Sequence, residues 1–389
     1  MLTGLIFATE EAEHQPGVLA ATLPFGGMTL IEYQARLLVA AGVGQLLVAV
    51  GRVTPALAAA VNRIGRRGAT VDIVRSAEEA KAKVHPLATI VALADGLVTT
   101  DAVVEGMALE PTDTLLVTPI GDATSVERVD AEHCWAGVAT LSIDRLDDAA
   151  RLPREYDFQS TLLRVATQAR AAHVLLPAKA VRSGHGVERD AGTLEVRSKD
   201  VLASLAEQRT GWIDRYVFTP VSRLLLPLLV RRKVPDVAIG AAGGALGVAG
   251  LAAIPFWSAG AATVLFLAMV VLSAGSLLGW LRGQDSHAAW QERGVDVFGV
   301  AGVLGVGLVQ SLIVQTGTAG VLALVGVGAT ILARRSPAIR PPWAATPATV
   351  LVLLAPFALA GTSTIGLALV ALHASVTLAH AIENLRREA

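Results

Sequence analysis

The chain has 389 residues, 53% hydrophobic and 17% charged, and residues 236–389 hold only 13 of its 65 Asp, Glu, Lys and Arg side chains. That asymmetry, with a formal net charge of −1, excludes a single soluble domain, a disordered chain and a nucleic-acid binder relying on bulk positive charge. The single cysteine, Cys134, excludes a disulfide framework and a cysteine-rich zinc site.

Met1–Ala8 is apolar but lacks a basic n-region and runs into Glu10, Glu11 and Glu13, so it reads as a strand rather than a cleavable signal. Over residues 1–205, short apolar or β-branched runs alternate with helical patterns. Leu5–Ala8, Gln45–Val50, Thr70–Val74, Leu87–Leu93 and Asp113–Thr118 read as buried strands; Thr29–Ala41, Pro55–Arg66, Ser76–Val84 and Phe158–Ala169 read as helices. The alternation predicts an α/β domain with a largely parallel sheet. Ligands of such sheets bind beyond the carboxyl ends of the strands, which singles out Thr9–Pro16, Gly51, Asp95-Gly96 and Pro119–Asp122. Ser183-Gly184-His185-Gly186 has no partner at a useful spacing and reads as a turn.

The run Leu23-Pro24-Phe25-Gly26-Gly27-Met28-Thr29-Leu30-Ile31-Glu32-Tyr33, followed by Ala40-Ala41-Gly42-Val43 and Leu47-Val48-Ala49-Val50-Gly51, resembles the opening of the sugar-nucleotide (MobA-like) nucleotidyltransferases. That family has a glycine-rich loop with an Arg, a Pro-Lys-Pro-Leu segment and a Gly-x-Pro-Leu helix start; here only the last part is kept, with Thr29 in place of proline. The resemblance implies a vestigial nucleotide site at Gly26, Gly27, Asp95 and Gly96, with Asp95 matching a magnesium-binding aspartate. The stretch matching the triphosphate loop, Thr9–Gly17, has no Arg or Lys and three glutamates. Like charges about 4 Å apart repel by roughly 1–4 kcal/mol per pair, so ordinary triphosphate binding is not expected. Asp95-Gly96 reads equally as a turn.

Residues 206–235 link the two halves. Trp212–Lys233 mixes Arg215, Arg223, Arg231, Arg232 and Lys233 with Tyr216, Phe218 and leucine runs, which predicts an amphipathic helix at the cytoplasmic interface, broken near Pro227. Beyond it, 237–281, 297–333 and 341–382 contain no Asp, Glu, Lys or Arg, over 45, 37 and 42 residues. A span needs about 20 apolar residues, and each stretch has a break near its middle, so six transmembrane helices are predicted at 237–254, 260–281, 296–314, 318–333, 346–361 and 364–381. The breaks are uncharged, and the arginines lie at the opposite ends, so that side and both termini are predicted to be cytoplasmic. Gly240/Gly244, Gly243/Gly247 and Gly299, Gly302, Gly305 place small residues where helices pack closely. His373 and His380 share a face of the last helix and read as a polar helix contact, or as a proton relay or head-group contact.

A nucleotidyltransferase-like domain joined to six helices resembles the bifunctional inositol-phosphate cytidylyltransferase/CDP-alcohol phosphotransferases. The segment Gly211-Trp212-Ile213-Asp214-Arg215-Tyr216-Val217-Phe218-Thr219-Pro220-Val221-Ser222-Arg223 is similar to that family's junction, and Val234-Pro235-Asp236 to its Thr-Pro-Asn. CDP-alcohol phosphotransferases carry D-x2-D-G-x2-A-R-x8-G-x3-D-x3-D across helices two and three, implying a two-metal site that holds the diphosphate and activates the acceptor hydroxyl. With Gly279 at the first glycine, Asp296 falls on the third aspartate and Arg282 lies one position short of the arginine. Gly275, Leu278 and Val300 replace the other aspartates, and Glu292 the second glycine. Hard divalent cations need oxygen ligands, so the usual phosphotransfer is not expected. An aspartate such as Asp296 would ordinarily be solvated or paired, here with Arg282 or Arg293.

These readings predict an α/β nucleotidyltransferase-like (Rossmann-like) cytoplasmic domain over 1–205, the linker 206–235, and an all-α, six-helix domain over 236–389. The protein would be a catalytically degenerate relative of CDP-alcohol phosphatidyltransferases, binding or scaffolding in phospholipid head-group metabolism. The alternatives are an active enzyme with a rearranged metal site at Arg282, Asp285, Glu292 and Asp296, or a small lipid or solute transporter. The vestigial motif is Gly279, Arg282 and Asp296; the metal candidates are Asp296 and Asp95. No cofactor is expected, or Mg2+ if either site works. Expected partners are the bilayer, CDP-alcohol or phospholipid head groups, and a second subunit (homodimer or heterodimer) through the membrane helices, with no nucleic acid.

Overall fold

The first strand, β1 (Leu2–Ala8), is apolar on both faces, as an interior strand covered by helices must be. In the computed structural model, which describes residues 1–66, 68–122, 124, 126–153, 156–207, 211–218, 220–221, 232, 234–335 and 341–388, β1 lies inside an eight-stranded sheet. The other strands are β2 (Gln45–Val50), β3 (Thr70–Val74), β4 (Thr89–Leu93), β5 (Thr114–Pro119), β6 (Glu127–Arg128), β7 (His133–Ser142) and β8 (Ala172–Leu175). Their order is β8-β5-β7-β4-β1-β2-β3, with β6 pairing β7. The run β4-β1-β2-β3 is parallel, and so is β5-β8.

The sheet is mixed rather than largely parallel, because β7 runs antiparallel to both β4 and β5. It enters directly from β6 by a tight turn, so it must reverse direction. Gly137 breaks its pattern: the register shifts between Trp135 and Ala139, Gly137 has φ +92°, and a Cβ there would come within 2.8 Å of Leu97. A bulge at that point is what glycine permits.

Eight helices belong to this unit, Met1–Ser204: α1 (Leu30–Ala40), α2 (Pro55–Gly65), α3 (Ala77–Lys83), α4 (Asp101–Leu109), α5 (Ile143–Ala150), α6 (Phe158–Gln168), α7 (Ala178–Arg182) and α8 (Ala191–Glu207), which runs across the boundary. Thr29, where proline was expected from the resemblance, caps α1. Its N–H and hydroxyl donate to Glu32 at 3.0 and 2.6 Å, and Arg63 of α2 donates twice to the same carboxylate at 2.9 Å. This is a capping box tied to a neighbouring helix.

The second unit, Leu205–Ala389, contains α9 (Asp236–Ala253), α10 (Ser258–Leu281), α11 (Asp285–Val314), α12 (Thr318–Arg335), α13 (Pro347–Leu359) and α14 (Ser363–Glu388). The interhelical breaks fall where expected. Among the described residues five helices are long and apolar enough to cross a membrane, which supports a multi-pass membrane protein. The expected fifth span is shorter than predicted: α13 has 13 residues, about 20 Å at 1.5 Å per residue, against a hydrocarbon core of about 30 Å. Thr346 and Pro347 start it late and Gly361, with φ +73°, ends it early. Its apolarity reflects burial, with Val350, Leu351 and Leu354 packed inside the bundle. α11 begins well before the expected residue 296.

α10 is the buried centre, with Ala261, Leu265, Ala268 and Met269 fully enclosed. Of the glycines, Gly247 receives the Phe298 ring and Gly299 abuts the Pro347 carbonyl, where a Cβ would lie 2.4 Å from the oxygen; Gly244 faces open space. Most of the predicted amphipathic linker helix, including Pro227 and the leucine runs, lies outside the described residues. A short π-helical turn at Asp214–Phe218 is described, with Ile213 and Phe218 buried in the helical core.

Candidate functional site

Asp95 follows β4 and is 1% exposed. Its Oδ2 accepts the N–H groups of Thr9 at 2.7 Å and Glu10 at 2.8 Å, and its own N–H donates to Gln159 Oε1 at 2.9 Å. The carboxylate thus ties the end of β4 to the chain leaving β1. Burial dominates its protonation and pushes its pKa up to about 6, against the opposing pull of those two N–H bonds. Asp95 Oδ2 is committed to amides and Oδ1 is buried with no hydrogen-bond partner among the described residues, so neither oxygen faces the solvent that a hydrated Mg2+ would bring with it.

The other nucleotide-site candidates serve the backbone. Gly26 and Gly27, at φ +58° and +87°, turn a small hairpin of Pro24–Phe25 with Met28–Thr29. Phe25 packs 4.5 Å from Tyr33, whose hydroxyl donates to the Thr99 carbonyl. Gly96, at φ +76°, lies so close to Glu188 that a Cβ would sit 2.7 Å from its carbonyl oxygen, and it accepts the Glu188 N–H.

The glutamate loop differs from its sequence reading in one respect. Arg52 pairs with Glu11 at 2.7 Å and Arg189 with Glu10 at 3.1 Å, so cations from distant positions neutralise two of the three glutamates. These arginines are spent on protein carboxylates, which still leaves the loop without the free cations a triphosphate requires.

A cleft of about 250 Å³ opens at the carboxyl ends of β1, β2 and β3, lined by Thr9, Gly51, Arg75, Ser76, Asp157 and Thr161 among others. Thr9 and Gly51 were marked by their places after strands. Arg75 and Ser76 directly follow β3 but were not singled out, and Asp157 and Thr161 at the start of α6 follow no predicted strand. Arg75 is the single cation among the described lining residues and Glu78 and Asp157 are acids, an unfavourable balance for a polyanion.

His185 is no simple turn residue. It is fully buried, with Nε2 2.8 Å from the Ala136 carbonyl and Nδ1 2.8 Å from the Thr99 hydroxyl. A carbonyl only accepts, so Nε2 carries the proton and Nδ1 accepts from Thr99. Burial holds its pKa down at about 4, so the ring is neutral and structural.

In the helical unit, the motif positions form a protein-filled contact. Arg282 donates to Asp236 at 2.6 Å and to the Val234 carbonyl at 2.9 Å, both side chains being buried. Gln291 donates to the Asp236 carbonyl at 3.1 Å, and a Cβ on Gly275, the first aspartate position, would lie 2.7 Å from Gln291 Oε1. Gly279 lets Ala288 approach, its own Cβ position lying 3.1 Å from that methyl group. Glu292 accepts from Ser276 at 2.9 Å and Trp280 at 3.2 Å. Asp296 pairs with Arg334 of α12 at 2.8 Å, not with Arg282 or Arg293; α12 supplies the nearer cation. Magnesium does not fit this place either, since a guanidinium and a carboxamide occupy it and Asp296 already holds a cation.

On α14, His373 Nε2 donates to the Trp343 carbonyl at 2.9 Å and His380 packs on the Trp343 ring at 5.3 Å. Both contact Trp343 in the non-helical segment before α13, rather than a neighbouring helix as the sequence reading expected. No family model matches this chain, and no curated protein matches it.

Proposed function

We propose that the chain is a multi-pass protein of the cytoplasmic membrane, with both termini cytoplasmic. In this reading its α/β domain is nucleotidyltransferase-like, its helices are CDP-alcohol phosphotransferase-like, and it binds or scaffolds in phospholipid head-group metabolism without turnover. The observation that carries the reading is the buried Arg282–Asp236 pair at 2.6 Å, beside Gly275, where the first of the family's metal aspartates would stand. A cation already built into that place leaves neither the ligands nor the charge for a second one. The amides on Asp95 and the arginines on Glu10 and Glu11 support the same conclusion for the α/β domain. Head groups and a second subunit, met through the membrane helices, are the partners this implies.

The test is CMP release from labelled CDP-diacylglycerol by purified full-length protein with Mg2+ or Mn2+. None is expected. Metal-dependent release that Asp296→Asn abolishes would overturn the reading in favour of a rearranged site. Native mass spectrometry of the detergent-extracted protein should show retained anionic lipid; its absence from every preparation would argue against head-group binding.

A further inference from the structure

Three side chains of metal-ligand type meet in the first unit, outside the cleft and the Asp95 region. Asp130 sits in the turn between β6 and β7, His133 opens β7, and His173 lies in β8. β5 pairs with β7 on one side and β8 on the other, so the sheet brings together residues 40 positions apart in the chain. One ligand atom from each lies within 4.8 Å of the others.

His133 Nδ1 lies 3.2 Å from both Asp130 carboxylate oxygens, at the long end of hydrogen-bond reach and close to the spacing of two ligands on one ion. Asp130 Oδ2 is 3.2 Å from His133 Nδ1 and 3.5 Å from His173 Nδ1. A charge-assisted N–H···O bond would be about 2.7–2.9 Å. The edge of a tetrahedron built on zinc bonds of about 2.0–2.1 Å is about 3.3 Å, and the two distances bracket it. The carboxylate is also pre-oriented: Oδ1 accepts the N–H groups of Glu132 and His133, each at 2.7 Å. That is the outer-sphere support a metal-ligating carboxylate ordinarily has. Two imidazoles and one carboxylate suit zinc and its first-row neighbours rather than Mg2+ or Ca2+.

We propose that Asp130, His133 and His173 bind one divalent transition-metal ion of the zinc class, with water completing the coordination. The ion fastens β8, a four-residue edge strand that pairs with β5 alone among the described strands, to the β6–β7 turn. Nothing in this depends on the proposed function.

The experiment is calorimetric titration of chelator-treated full-length protein in detergent with Zn2+ at neutral pH, repeated with Co2+ for its tetrahedral absorption. One site per chain is expected. His133→Ala and His173→Ala should each weaken it by more than the about 10–100-fold that losing an outer-sphere partner costs, and the double variant should lose it. Asp130→Asn keeps an acceptor for both turn amides and should weaken binding without unfolding the turn, with metal-free melting as the control. Cys134→Ser should leave binding unchanged. Absence of stoichiometric binding, or binding retained by the His133/His173 double variant, would overturn the proposal.

Discussion

Asp95 provides a quantitative test of how the α/β domain is held. Its carboxyl titrates at about 6 folded against an ordinary 3.8. The folded state therefore holds its proton more tightly than the unfolded chain does. Stability from this group is full below about pH 4 and is lost as pH rises through about 6. Two units at about 1.36 kcal/mol each set the loss near 3 kcal/mol at pH 7, of which about half returns at pH 5. Asp95→Asn keeps an oxygen acceptor for the Thr9 and Glu10 amides and removes the charge. The variant should be more stable than the parent at neutral pH and should lack the pH step. Hydrogen exchange of the β1 and β4 amides in the full-length protein, corrected for intrinsic rates at each pH, reads both. A variant with the parent's pH slope, or one destabilised at neutral pH by more than about 1 kcal/mol, would refute the assignment of buried charge to Asp95.

Arg282→Met strands Asp236 inside the helical unit and should cost about 3–5 kcal/mol; adding Asp236→Leu should recover much of it in reversible unfolding from mixed micelles. Gly299→Ala, which drives a methyl into the Pro347 carbonyl, should destabilise by about 1–3 kcal/mol, whereas Gly244→Ala, facing open space, should be neutral or slightly stabilising. Glu32→Gln loses the Arg63 pair and half of the α1 cap and should cost about 1–2 kcal/mol by thermal melting. Burial acts to raise the Glu32 pKa, but the Arg63 and Thr29 hydrogen bonds outweigh it and hold it below 4.5. The parent's Glu32 stabilisation should therefore be full above that value and fade as pH falls below it, a fade the Gln variant lacks.

The strands β1 to β5 were legible as short runs rich in apolar and β-branched residues, even where a polar one such as Asp72 interrupts them. β7 was not, because the bulge at Gly137 splits its pattern, and β8 was not, because Ala172–Leu175 is a short and partly exposed edge. α5 is hidden by its charges, Ile143–Ala150 carrying three aspartates and an arginine. α13 is shorter than its predicted span because Thr346-Pro347 and Gly361 bound it, which hydropathy alone does not show. At the sites, strand ends pointed to Asp95, Thr9 and Gly51 but could not supply their partners. The ion pairs Arg282–Asp236, Arg334–Asp296, Arg52–Glu11 and Arg189–Glu10 all join residues more than 30 positions apart. The Asp130–His133–His173 cluster left only a D-x2-H spacing in the sequence, too short a pattern to stand out.

The shortness of α13 bears on which side of the bilayer the chain ends. Six crossings return a chain to its starting side and five do not, so the proposed placement of both termini on one side would need α13 to cross together with the non-helical residues 341–346 ahead of it. Irregular backbone is tolerated at that depth only when protein satisfies its polar groups, and α14 does so here. Thr377 accepts the Ala345 N–H at 3.1 Å, while His373, ten residues or about 15 Å into its helix, donates to the Trp343 carbonyl. In the proposed topology His373 would stand in for water along this non-helical segment, and the last hairpin would depend on that bond.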